Sequence, residues 1–69
     1  MKELRNNFDK EICFTEGELD KAKYYFTDSE ESEYAEAIAE AETLEELADV
    51  LNHYSDEYGN GSRYYVREF

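Results

Sequence analysis

From Tyr24 to Ser62 the chain runs for 39 residues without a lysine or arginine and carries 12 acids. This run restricts what the segment can fold into. A solvated helix face ordinarily mixes both signs, because opposite charges at i,i+4 stabilise it. Helices built here forgo that support and accept like-charge repulsion. Their stability must then come from apolar faces buried against a common core. The simplest account of so one-sided a field is selection for something besides folding.

Whether a core is available follows from length and composition. Sixty-nine residues make one small domain, near the lower limit for folding alone. Hydrophobic residues make up 41% and aromatics 16%. That is too much core material for a disordered acidic tail, so the net charge of −12 does not imply disorder. It predicts solubility and self-repulsion. It also argues against direct binding to nucleic acid or to an anionic membrane surface, both of which need basic patches. The expected partner is basic. Cys13 is the sole cysteine, so no intrachain disulfide and no oxidising compartment are required. With no apolar secretory segment after Met1 and no run of transmembrane length, the expected location is the cytoplasm.

Three helices and two strands are expected. Residues 1–9 are weakly patterned, and Leu4 and Phe8 fit either one helical turn or an extended lead-in. Lys10 to Thr15 reads as a strand around Ile12, Cys13 and Phe14. Thr15 opens a capping box with Glu18, and Leu19, Ala22 and Phe26 recur at helical spacing, predicting a first helix over about 16–26. Thr27, Asp28 and Ser29 offer a fresh N-cap, with acids in the following turn where the helix dipole favours them. Tyr34, Ala35, Ile38 and Ala41 then share a face opposite Glu30, Glu33, Glu36 and Glu40, predicting a second helix over about 29–41.

Thr43 and Glu46 form another capping box. Leu44, Leu47, Ala48, Leu51, Tyr54 and Tyr58 give the clearest apolar stripe, with Glu45, Asp49 and Asp56 on a narrow polar stripe across from it. The third helix is expected over about 44–58. Gly59-Asn60-Gly61 should end it in the left-handed conformation. Arg63 to Phe69 is a second strand, expected to pair with Lys10–Thr15. The predicted class is α+β, three short helices on a small antiparallel sheet of N- and C-terminal strands, with a helix-only fold as the alternative. The basic residues gather near the chain ends, so a paired sheet would give a nearly neutral base under an acidic helical cap.

No constellation points to catalysis. His53 lacks a nucleophile placed by sequence, and Cys13 reads as a small core residue. A loop counted from Asp56 fails the EF-hand pattern, with Tyr58 and Arg67 where ligands belong. No metal or cofactor is expected. The acids read instead either as a docking surface or as a merely solvated face, such as a halophile's acidic shell; the lysines kept near the N-terminus favour the docking surface. Carboxylates at i,i+4 rise ~6 Å along a helix, and duplex phosphates recur every ~3.4 Å per strand. Two such helices side by side would present charge spaced roughly like alternate phosphates. Glu30, Glu33, Glu36, Glu40, Glu45, Asp49 and Asp56 are the candidate contacts. Tyrosine supplies rigid, amphipathic interface area. Tyr24 and one of Tyr64 or Tyr65 are candidates for exposure, whereas Tyr34, Tyr54 and Tyr58 are expected in the core.

Small size, extreme acidity, tyrosine richness and the acidic run from Asp28 to Glu57 together resemble phage-encoded DNA mimics. That class includes anti-restriction proteins, uracil-glycosylase inhibitors and several anti-CRISPR proteins. The resemblance spans the chain as a class, without a family motif, and assigns no residue a role. It implies a stoichiometric, non-enzymatic inhibitor filling the basic nucleic-acid channel of a bacterial defence protein. A CRISPR effector complex is the first expected target, then a restriction enzyme or repair glycosylase. Two other readings stand beside it. One is an antitoxin-like or regulatory module that binds its partner through the third helix's apolar stripe. The other is a homodimer that hides its tyrosines.

Overall fold

The computed structural model describes residues 1–27, 32–59 and 61–68, and for Ser32 and Glu33 the backbone alone. Three strands and three helices follow in the order β1 (Lys2–Asn6), β2 (Cys13–Thr15), α1 (Leu19–Thr27), α2 (Ser32–Glu40), α3 (Leu44–Tyr58) and β3 (Tyr64–Glu68). A single 3₁₀ turn, Glu16–Glu18, leads into α1. The class is α+β, with the helices packed on one antiparallel sheet ordered β2-β1-β3.

The centre of that sheet is β1, a segment with little pattern. Leu4 pairs with Phe14 on one side and Val66 on the other. β3 therefore pairs with β1, not with the Lys10–Thr15 segment. That segment also contributes only Cys13–Thr15, because an Ile12 N–H bond to the Asp9 carbonyl (3.2 Å) makes a turn before it. The physical reason is short alternation. Leu4 is the sole apolar residue between Lys2 and Asn6, so periodicity shows no strand, yet two flanking strands satisfy its backbone.

Each helix is formed by signals in its own sequence. Glu18 accepts from the Thr15 N–H (3.0 Å) and hydroxyl (3.2 Å), fixing the entry to α1. These bonds hold the Glu18 carboxyl below its usual range. At α3, Thr43 Oγ1 accepts from the Glu46 N–H at 3.1 Å. The Glu46 carboxylate reaches past the cap to the Glu42 N–H at 3.0 Å, one residue beyond a standard capping box. Gly59 ends α3 at φ 65°, where a Cβ would be strained, and its N–H donates to the Ser55 carbonyl. The N-cap expected at Thr27–Ser29 and the acids Asp28, Glu30 and Glu31 lie outside the described residues, except Thr27, which closes α1.

The core joins Leu4 and Ile12 to Ala22 and Phe26 of α1, Ile38 of α2, Ala41, and Leu44, Leu47, Ala48 and Leu51 of α3. Leu4 and Leu47 are fully buried. The leucine and alanine part of the α3 stripe is thus committed to its own domain. Of the other expected core residues, Tyr34 only packs against this core cluster, Tyr54 is half-buried outside it, and Tyr58 and Cys13 are exposed. Tyr58, the last residue of α3, is 53% exposed. Cys13 is exposed because alternation turns it to the open face of the sheet, beside Arg5.

Candidate docking surface

The charges separate by layer. The three strands hold Lys2, Arg5 and Arg67 against Glu3 and Glu68. α2 and α3 hold Glu33, Glu36, Glu40, Glu45, Glu46, Asp49, Asp56 and Glu57, and neither lysine nor arginine. The remaining helix, α1, carries Lys21 and Lys23 against Asp20, and Lys23 Nζ donates to the Ala41 carbonyl at 2.8 Å just past α2. The anionic part of the helical layer is therefore α2 and α3, and the sheet is nearly balanced.

Within the helical layer the expected site residues divide into two groups. Glu36 and Glu40 are exposed on α2, one helical turn apart. Asp49 is exposed near the middle of α3. Among the described residues, these three are the exposed members of the predicted set without an ion pair to a chain-end cation, and Glu42, Glu46 and Glu57 are exposed as well. Glu45 and Asp56 behave differently. Lys2 Nζ donates to Glu45 Oε2 at 2.6 Å, and the Arg63 guanidinium donates to Asp56. The polar stripe of α3 therefore borders the sheet, and chain-end cations neutralise it at both ends. Lys2 holds the Glu45 carboxyl below its usual range through this hydrogen bond, and the Lys2 ammonium is raised in return. Glu30 and the Glu33 side chain lie outside the described residues.

Midway along the same stripe, Asn52 joins α3 to β3. Its Nδ2 donates to the Tyr64 carbonyl at 2.9 Å, and its Oδ1 accepts from the Tyr64 N–H at 2.7 Å. Ser55 donates to the Ser62 carbonyl at 2.6 Å, and Asn6 Nδ2 to the Ser62 hydroxyl at 2.8 Å. Sequence reasoning passed over these polar clamps, since an Asn on a polar stripe carries no sign of a backbone partner 12 residues away.

Tyr24 is 75% exposed on α1, about 200° around the helix from buried Ala22 and Phe26. It projects from a different helix than the acids. Of the other two candidates, Tyr65 is exposed and Tyr64 half-buried, its hydroxyl pushed above the usual range by burial. A second aromatic group, missed at the level of sequence, spans α2 and α3. Tyr34 meets Tyr54 edge-on at 4.9 Å, and Tyr54 lies 4.8 Å from Tyr58. The signal for it was the i,i+4 spacing of Tyr54 and Tyr58, which reads equally well as core.

The open face of the sheet carries Glu3, Arg5 and Cys13. Glu3 is buried, accepting from Arg5 at 3.2 Å and from the Cys13 thiol at 3.0 Å. The bond to a carboxylate, with partial burial, pushes the thiol up, which makes it a poor nucleophile. Among the described residues, no group of three His, Cys, Asp or Glu could hold a metal ion, and no helix is long and apolar enough to cross a membrane. Compared with protein-family models, with curated proteins and with solved structures, the chain matches none.

Proposed function

We propose that this protein is a non-enzymatic inhibitor whose acidic helical layer stands in for nucleic-acid phosphates. It would occupy the basic DNA-binding channel of a bacterial defence complex, a CRISPR effector first and a restriction enzyme second. The observation that carries the reading is the distribution of charge: α2 and α3 carry eight acids and no lysine or arginine. A protein that needed acids only for solubility would gain by spreading them.

The mechanism is competitive. Long-range attraction speeds encounter with a basic cleft. Glu36, Glu40 and Asp49, exposed on the two helices, then meet the lysines and arginines that hold phosphates. Glu45 and Asp56 contribute less, since Lys2 and Arg63 already neutralise them. The interaction-module reading relies on an apolar stripe whose Leu44, Leu47, Ala48 and Leu51 are buried in the domain's own core, which favours the charged surface.

The test is recovery of partners from a nuclease-treated bacterial lysate at low and high salt. A nucleic-acid-binding protein released by salt and displaced by DNA supports the proposal. A salt-resistant partner unconnected with nucleic acid overturns it. Charge reversal of Glu36, Glu40 and Asp49 together should abolish inhibition with the circular dichroism unchanged.

A further inference from the structure

The geometry points to an arginine-binding site at the seam of α2 and α3, formed by Tyr34, Tyr54, Glu57 and Tyr58. It rests on the reading that the acidic layer meets a basic partner, and names the side chain that gives the contact its short-range selectivity. Tyr54 and Tyr58 stand one turn apart on α3, their rings tilted by 40° at 4.8 Å. Tyr34 packs edge-on against Tyr54, 89° between planes. Its hydroxyl donates to Glu57, which fixes an exposed carboxylate beside the rings. Tyr58, 53% exposed, puts aromatic area into an acidic surface, and the exposed His53 ring lies 6.3 Å from Tyr34 on the same seam.

A planar cation suits both parts of this arrangement. The guanidinium of arginine stacks on an aromatic face and directs its edge donors to a carboxylate. The ammonium of lysine is a compact, strongly hydrated point charge that gains the Coulomb attraction and little of the stacking. Charge complementarity decides against other occupants. A second copy would bring its own α2 and α3 acids against these, and a nucleic-acid base would carry its phosphates toward Glu57.

The test uses the whole chain titrated with capped hexa-arginine and hexa-lysine at equal ionic strength, followed by amide chemical shifts. Hexa-arginine should bind roughly twofold to fivefold tighter, the range of an exposed cation–π contact, with the largest shifts at Tyr54 to Tyr58. Tyr58→Leu should narrow the gap between the two affinities, chiefly by weakening hexa-arginine. Glu57→Gln, which keeps every ring, should weaken both peptides and narrow the preference. Equal affinities in the parent protein, or a preference that Tyr58→Leu leaves undiminished, would overturn the site and leave the basic-partner reading standing. Binding of neither peptide would remove that reading as well. A dimer abolished by Tyr58→Leu would assign the patch to a second copy and overturn the arginine site.

Discussion

Asn52→Ala should destabilise the domain well beyond what an exposed-helix substitution does. One residue beyond the end of the β1–β3 ladder, Asn7 donates to the Arg63 carbonyl at 3.0 Å. Antiparallel pairing alternates, so Tyr64 turns its own N–H and C=O away from β1. The Asn52 side chain receives both, at 2.7 and 2.9 Å, in place of a fourth strand. Losing two such bonds costs about 2 kcal/mol. Alanine returns roughly 0.5 kcal/mol through its higher helix propensity, leaving a net loss of ~1.5 kcal/mol. For a domain of this size that lowers Tm by roughly 6–12 °C. The assay is thermal unfolding followed at 222 nm at fixed ionic strength, with hydrogen exchange at the Tyr64 amide. Faster exchange should accompany the lower Tm, and the freed edge should promote association at high protein concentration. A Tm within about 2 °C of the parent, with Tyr64 exchange unchanged, would refute the idea that Asn52 ties α3 to β3.

Four further outcomes are expected. Leu47→Ala, at a fully buried position, should cost about 3 kcal/mol, a large part of the ~3–10 kcal/mol available to 69 residues; a denaturant titration measures it. Raising salt from about 0.01 M to about 1 M shrinks the Debye length from ~30 to ~3 Å, so the urea midpoint should rise as repulsion within the acidic layer is screened. Because the Glu45 carboxyl is depressed in the folded state, its pair with Lys2 supports the fold above the unfolded carboxylate value and is lost as pH falls through the folded one. Lys2→Met should return Glu45 toward its ordinary value in an NMR titration and remove that contribution. Cys13 should alkylate slowly at mildly alkaline pH, and Glu3→Gln, which removes the charged acceptor, should speed the reaction.

The helices were legible because each announces itself locally. Thr15 with Glu18, Thr43 with Glu46, and Gly59 mark ends through bonds to neighbours within four residues. Between those ends the 3.6-residue spacing of Leu44, Leu47, Ala48 and Leu51 identifies the buried face of α3. The acidity of the helical layer was equally plain, since it follows from which residues are present and which are missing.

What stayed hidden depends on partners far along the chain. β1 carries one apolar side chain, and its place at the centre of the sheet comes from strands beginning at Cys13 and Tyr64. Glu45 and Asp56 look like Asp49 in sequence. Only folding brings Lys2, 43 residues away, and Arg63 against the first two, so the acids divide into neutralised and open groups. The sequence by itself determined the helices and the sign of the field, because both arise from local spacing and composition. Tertiary structure alone decided the strand order, the polar clamps and which charges remain available. A charge is neutralised by whatever lies within a few ångströms of it, and sequence distance does not measure that separation.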